Sequence, residues 1–322
     1  MSILIGILND DRRYLQFKLF LHFFTKSIHK DKFKIIVLTH ADSTKFTNII
    51  DLYSNLFTGI DIIKTGPDYM DKIHSFIEYA NLHEYTYCFK MDNDIILPTH
   101  MIDYIYENIH ILDDDNNGIL LPLLSNSIPS IQYVIEDFFN SSEKSIIYDL
   151  FSKYKYTNEW AILNDKLIGD WSFDKYYSVI ENIKEPHGGN YKAIHPIRFD
   201  TDSADYLNSI FIDNKKWFFE DRGCKLYNAT DRPYFMPQTF LIKTSYYHNI
   251  LDKSLAYDGY DEVTINNLIR RDKKEIFFIR NALGIHIAHN GHTKNFLEFE
   301  ILFLNKFFHN ELLTLQYNIM PL

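Results

Sequence analysis

The stretch Phe89-Lys-Met-Asp92-Asn93-Asp94-Ile-Ile-Leu97-Pro puts two carboxylates, two residues apart, between apolar runs. Like charges held that close at a partly buried strand end repel. A divalent cation such as Mg²⁺ or Mn²⁺ relieves the repulsion and bridges to diphosphate oxygens. Two other D-x-D pairs occur, Asp113/Asp115 and Asp200/Asp202. The first precedes Asn-Asn-Gly and reads as a solvated turn, and the second lies in a polar stretch. A second patch, Gly284-Ile-His286-Ile-Ala-His289-Asn-Gly291-His292-Thr-Lys294, spaces three imidazoles by three residues and ends in a lysine. Imidazole is a good ligand for Mn²⁺-type ions. A third patch, Tyr257-Asp-Gly-Tyr-Asp261-Glu262, sets an acidic pair at the start of a helical pattern. Acids favour a helix N-terminus, so one reading of the pair is a cap.

The elements around these patches alternate. Ser2–Leu8, Phe33–Thr39, Ile60–Lys64, Tyr85–Met91 and Gly118–Leu124 read as apolar strands. Arg13–Phe24, Thr44–Leu56, Tyr69–Leu82 and Pro98–Leu112 read as helices between them. That order predicts a parallel sheet covered by helices on both faces. Ligands then bind beyond the carboxyl ends of the strands. Asn9-Asp10, His40–Asp42 and Asp92–Asp94 converge there. Residues 126–235 are less regular, with helices expected at Ser141–Tyr154 and Asp174–Lys184 and turns at Glu185–Asn190 and Asp200–Asp205. They read as an insertion over the sheet and in part as a substrate-binding wall or lid, for which Trp160, Trp171, Trp217 and His195–Arg198 are candidates. From Thr239–Lys243 a strand, a helix over Asp261–Arg271, a strand over Glu275–Arg280 and a final helix over Phe296–Tyr317 follow. The expected organisation is one continuous domain in three parts, 1–125, 126–235 as the insertion and 236–322.

This arrangement resembles the GT-A-fold nucleotide-sugar glycosyltransferases, whose mark is a D-x-D after about the fourth strand of a nucleotide-binding half. The resemblance implies a GT-A-like, Rossmann-related, mostly parallel α/β sheet with a helical insertion and a C-terminal helix, forming one continuous catalytic domain in which 1–125 binds the nucleotide sugar, 126–235 is the acceptor-side insertion and 236–322 serves acceptor and catalysis. It implies that Asp94 binds the metal, that Asp92 meets the ribose or the metal, and that Asp42 sits near the base. Asn9 and Asp10 lie on the same rim, and Lys72 would face the nucleotide. In many such enzymes a C-terminal His completes the metal site. The His289-Asn-Gly291-His-Thr-Lys294 stretch is similar to the H-x-x-G-x-x-K of glycogenin-like enzymes, but one residue shorter between His and Gly and without the Pro-Trp that follows. His289, with His286 as alternative, is then the implied ligand and Lys294 the diphosphate contact. Asp261 or Glu262 resembles the acceptor-activating base of inverting members.

Function classes narrow accordingly. The 322 residues carry 33 Lys+Arg against 43 Asp+Glu, a net −10 that disfavours coating nucleic acid or anionic lipid. Two cysteines make no disulfide framework. No signal peptide or spanning segment is visible, so a cytoplasmic protein, at most peripheral to a membrane, is expected. Glycine-rich phosphate loops are absent, which disfavours dinucleotide oxidoreductases and P-loop enzymes. The expectation is a metal-dependent hexosyltransferase using Mn²⁺ or Mg²⁺, a nucleotide-sugar donor (UDP-linked favoured) and a glycan or glycolipid acceptor. The alternatives are a sugar-phosphate nucleotidyltransferase, a metal-dependent phosphohydrolase, or a non-catalytic carbohydrate-binding protein of the same fold. The Phe- and Leu-rich C-terminal helix is expected to pack on the domain or form a subunit contact.

Overall fold

The computed structural model describes residues 2–9, 13–40, 44–125, 130–152, 201–230, 239–254, 265, 269, 271–286 and 296–317. The strands are β1 (Ile3–Leu8), β2 (Phe33–Thr39), β3 (Ile60–Lys64), β4 (Tyr87–Asp92), β5 (Ile95–Ile96), β6 (Asn117–Leu124), β7 (Lys225–Asn228), β8 (Thr239–Lys243) and β9 (Glu275–His286). Helices α1 (Tyr14–Phe24), α2 (Thr44–Tyr53), α3 (Tyr69–Leu82) and α4 (Thr99–Asn108) connect the first six strands. The sheet order is β3-β2-β1-β4-β8-β6-β9-β5, with β7 on β9. The α/β class and the helix-flanked sheet are as expected.

The N-terminal half is parallel throughout: β1 pairs β2 and β4, and β2 pairs β3. Its strands are apolar on both faces, and Ile3, Leu4, Ile35, Ile36, Val37 and Leu38 have no exposed surface. That double burial is what a parallel sheet under two helix layers requires. Beyond β4 the sheet is mixed. β8 inserts antiparallel between β4 and β6, while β6 pairs β9 in parallel.

Gly6 in β1 sets how close α3 comes. A Cβ there would sit 2.6 Å from the ring of Phe76. Phe76 and Lys72 lie four residues apart and share a helix face. The close approach therefore also sets the depth of Lys72. Gly6→Ala should lower stability by about 1–3 kcal/mol through overpacking, measurable by chemical denaturation; an unchanged midpoint would contradict this account.

The insertion contains α5 (Ser130–Phe138) and α6 (Ser141–Ser152). α6 opens on a capping box: Asn140 Oδ1 accepts from the Ser142 and Glu143 amides, and Glu143 Oε2 accepts from the Asn140 amide. The turn expected at Asp200–Asp205 is instead the start of a helix, Thr201–Asp213. Its polar first turn suits a helix N-terminus, and Leu207, Ile210 and Phe211 bury its other face. Trp217 belongs to the core, 5 % exposed and packed on Phe138 and Phe139, so it is not a sugar platform. The helix expected at Asp174–Lys184, Trp160, Trp171 and His195–Arg198 lie outside the described residues.

The C-terminal stretch forms two helices, Phe296–Phe307 and His309–Tyr317, rather than one. Buried Phe308 sits at the break and packs against Phe23 of α1 and Phe218. This holds the break between the two C-terminal helices against the end of α1.

Candidate functional site

The rim at the carboxyl ends of β1, β2 and β4 is joined by buried polar side chains. Leu8 is in register with Leu38 and with Asp92. Just beyond, Asn9 Nδ2 donates to Thr39 Oγ1 at 3.3 Å, and Asn93 Nδ2 donates to Asn9 Oδ1 at 2.9 Å. Lys72, buried, donates to the Asn9 carbonyl at 2.8 Å. Asn9 and Lys72 thus reach the expected rim, where Lys72 orders the backbone at the end of β1.

The two D-x-D carboxylates differ. Asp92 ends β4, and its Oδ1 lies 2.9 Å from Lys90 Nζ. Lys90 has no exposed surface, and its ammonium lies 5.3 Å from the Tyr69 ring centroid and 5.9 Å from that of Phe240. An ammonium that deep is tolerable only when paired. Asp94 is buried. Its Oδ2 meets His286 Nε2 at 3.2 Å and Arg13 Nη1 at 2.7 Å.

Two features of the chain bring Asp94 and His286 together. The residues following Asp94 form β5, which pairs antiparallel with the end of β9, so that Ile95 faces His286. Ser125, just after β6, fixes the His286 backbone: its hydroxyl donates to the His286 carbonyl at 2.6 Å and accepts from the His286 amide at 3.0 Å. Gly284 allows the crossing, since a Cβ there would meet Leu97 at 2.8 Å, Leu124 at 2.9 Å and the Leu123 carbonyl at 3.3 Å.

Arg13 precedes the first residue of α1, and its side chain bridges two elements. Its Nη2 and Nε meet both carboxylate oxygens of Glu300, at 3.1 and 3.3 Å, while Gln16 Nε2 donates to Glu300 Oε2 at 3.0 Å. Glu300 is 1 % exposed. Burial, opposed by Arg13 and reinforced by the charge of Asp94, holds its carboxyl above the ordinary range. Glu300 thus ties the first C-terminal helix to the start of α1. Arg13, Gln16, Lys90 and Glu300 were not among the sequence candidates. A lone lysine inside the apolar strand Tyr-Cys-Phe-Lys-Met marks Lys90 in retrospect.

Carboxylate and imidazole form a donor set suited to Mn²⁺. Adjacent ligands of an octahedral ion with bonds of about 2.1 Å stand roughly 3.0 Å apart. The 3.2 Å between Asp94 Oδ2 and His286 Nε2 fits that spacing. Arg13 is on the same oxygen, so a bound cation would share or take its place.

The other D-x-D pairs differ as expected in part. Asp115 is exposed in a turn, where it pairs with Lys243, and Asp202 lies in the first turn of a helix. Asp10, Asp42, Asp261, Glu262, His289 and Lys294 lie outside the described residues. Within the predicted helix over Asp261–Arg271, Ile265, Ile269 and Arg271 are helical.

No family model matches the sequence, and no curated protein matches it. Among solved structures, Staphylococcus aureus TarS 1–349 in complex with UDP-GlcNAc is 12% identical over 38% of this chain and 34% of that one, with a TM-score of 0.31. A cytidylyltransferase from Leptospira borgpetersenii is 12% identical over 51% and 71%, at 0.28. The mannosyltransferase PcManGT from Pyrobaculum calidifontis, in complex with GDP-Man and Mn²⁺, is 8% identical over 97% and 63%, at 0.43. The chain spans about a third of TarS 1–349. At such scores the likeness decides nothing about chemistry, which rests on the residues of the site.

Proposed function

We propose that this chain is a metal-dependent glycosyltransferase of the GT-A type. It would transfer a sugar from a nucleotide-sugar donor, UDP-linked by preference, to a glycan or glycolipid acceptor. The observation that carries the reading is the meeting of Asp94 with His286. These two sequence-predicted metal ligands lie 192 residues apart in the chain and 3.2 Å apart in space, at the rim of the sheet.

Asp94 and His286 would hold Mn²⁺ or Mg²⁺, with Asp92 next to them at the end of β4 and His289 as a further ligand. Such an ion, when bound, neutralises charge developing on the leaving nucleoside diphosphate. The chain's own groups do the rest. Lys72 and Asn93 fix Asn9 and with it the floor of the nucleotide site. Lys90 holds Asp92 in one orientation. Arg13 keeps a positive charge beside Asp94 and would turn it toward the diphosphate. Asp10 and Asp42 would line the nucleotide pocket, and Lys294 would contact the diphosphate. Asp261, or Glu262 beside it, would take the proton of the attacking acceptor hydroxyl in an inverting reaction.

Thermal-shift titration with UDP-, GDP-, CMP- and dTDP-sugars, with and without Mn²⁺, tests the reading. Stabilisation by one nucleotide class, only with metal present, is the expected result. No response to any donor with metal present would reject it in favour of a non-catalytic protein of the same fold.

A further inference from the structure

A second group of metal-ligating side chains lies outside this rim. His100 is in the first turn of α4, and Asp221 and Cys224 flank the turn that leads into β7. One ligand atom from each lies within 4.8 Å of the other two. The sequence separates His100 from Cys224 by more than a hundred residues, so the fold itself creates the group.

The turn that presents Asp221 and Cys224 is well fixed. Asp221 Oδ1 accepts from the Gly223 amide at 2.9 Å, and Asn281 Nδ2 donates to the Gly223 carbonyl at 3.2 Å. Gly223 has φ +73°, a conformation that favours glycine. β7 begins immediately after Cys224, where Lys225 faces Arg280 of β9.

One donor atom of the group has no protein partner: Nε2 of His100 is buried and has no hydrogen-bond partner among the described residues. The Cys224 thiol ionises when a cation replaces its proton. Asp221 is exposed, which leaves a path for the ion and a position for water.

We propose that His100, Asp221 and Cys224 bind a zinc-class divalent ion and tie the start of α4 to the turn before β7. Binding converts the Cys224 thiol to a metal thiolate and releases one proton to solvent. With one thiolate and one carboxylate, the two positive charges of the ion are balanced. Thiolate and imidazole select Zn²⁺ or Co²⁺ over Mg²⁺. The site therefore differs in metal preference from the Asp94–His286 pair and does not depend on the glycosyltransferase reading.

Co²⁺ titration of the chelator-treated full chain tests the proposal. The expected result is a thiolate-to-cobalt charge-transfer band saturating at one ion per chain. It should be accompanied by proton release and bleached by Zn²⁺. The band should be absent in C224S and retained in D94N. It should also be retained in C88A, since Cys88 is fully buried in β4 against Thr244. Zn²⁺ should raise the melting temperature of the wild type and not that of C224S. H100Q should weaken Co²⁺ binding by at least about 100-fold, which gives an independent reading if C224S folds poorly. No charge-transfer band in the wild type, a band that persists in C224S, or undiminished affinity in H100Q would overturn it.

Discussion

Replacing Asp94 by Asn should lower sugar transfer from the nucleotide-sugar donor by at least about 100-fold, the scale on which lesser changes to a metal site already act. The substitution keeps the shape of the side chain and removes its charge. Arg13 would still be held by two contacts to Glu300, so the start of α1 should stay in place. His286 would keep its backbone pinned by Ser125. The defect is thus expected in metal-dependent donor binding and turnover, with near-normal circular dichroism. The Mn²⁺-dependent part of the thermal shift with donor should disappear in the same variant. Turnover equal to wild type in D94N would remove Asp94 from the mechanism and sink the metal-dependent reading of the site.

How much of this was legible in the sequence depends on whether a residue carries a local mark. Strand β2, strand β3 and helix α3 have the bounds that apolar periodicity predicts, because buried faces impose their period on the nearby chain. Asp94 was legible for a related reason: carboxylates between two apolar runs are rare and expensive. His286 was legible only as one imidazole of three, and its nearness to Asp94 depends on the β5–β9 pairing, which no local pattern announces. The antiparallel β8 between β4 and β6 was illegible too, since strand order is decided by packing between distant segments. Glu300 carries no local mark at all: it pairs with Arg13, 287 residues earlier. An ion pair of that separation leaves no trace in composition or spacing.

Arg13 supports the second large effect. Its guanidinium lies between Asp94 and Glu300, whose side chains are 7% and 1% exposed. Arg13→Met keeps much of the side-chain volume but removes the positive charge from between two buried carboxylates. Breaking a buried pair on one side costs about 3–5 kcal/mol. For a chain of this size that is a fall in melting temperature of roughly 4–7 °C. The loss should depend on pH in a defined direction. The Glu300 carboxyl is already held above its ordinary value, mainly by burial, and loses a stabilising charge in the variant. With the folded pKa above the unfolded one, its contribution is fully present below the unfolded value of about 4.5 and is lost as pH rises through the folded value. The R13M deficit should therefore be larger at pH 8 than at pH 5. Adding Glu300→Gln should recover at least about half of it and flatten the pH dependence, because no ionised group then remains at that position. Mn²⁺ should also raise the melting temperature more in R13M than in the wild type, since the competing cation on Asp94 Oδ2 is gone. Equal deficits at both pH values and no recovery in the double variant would show that Arg13 acts by packing alone.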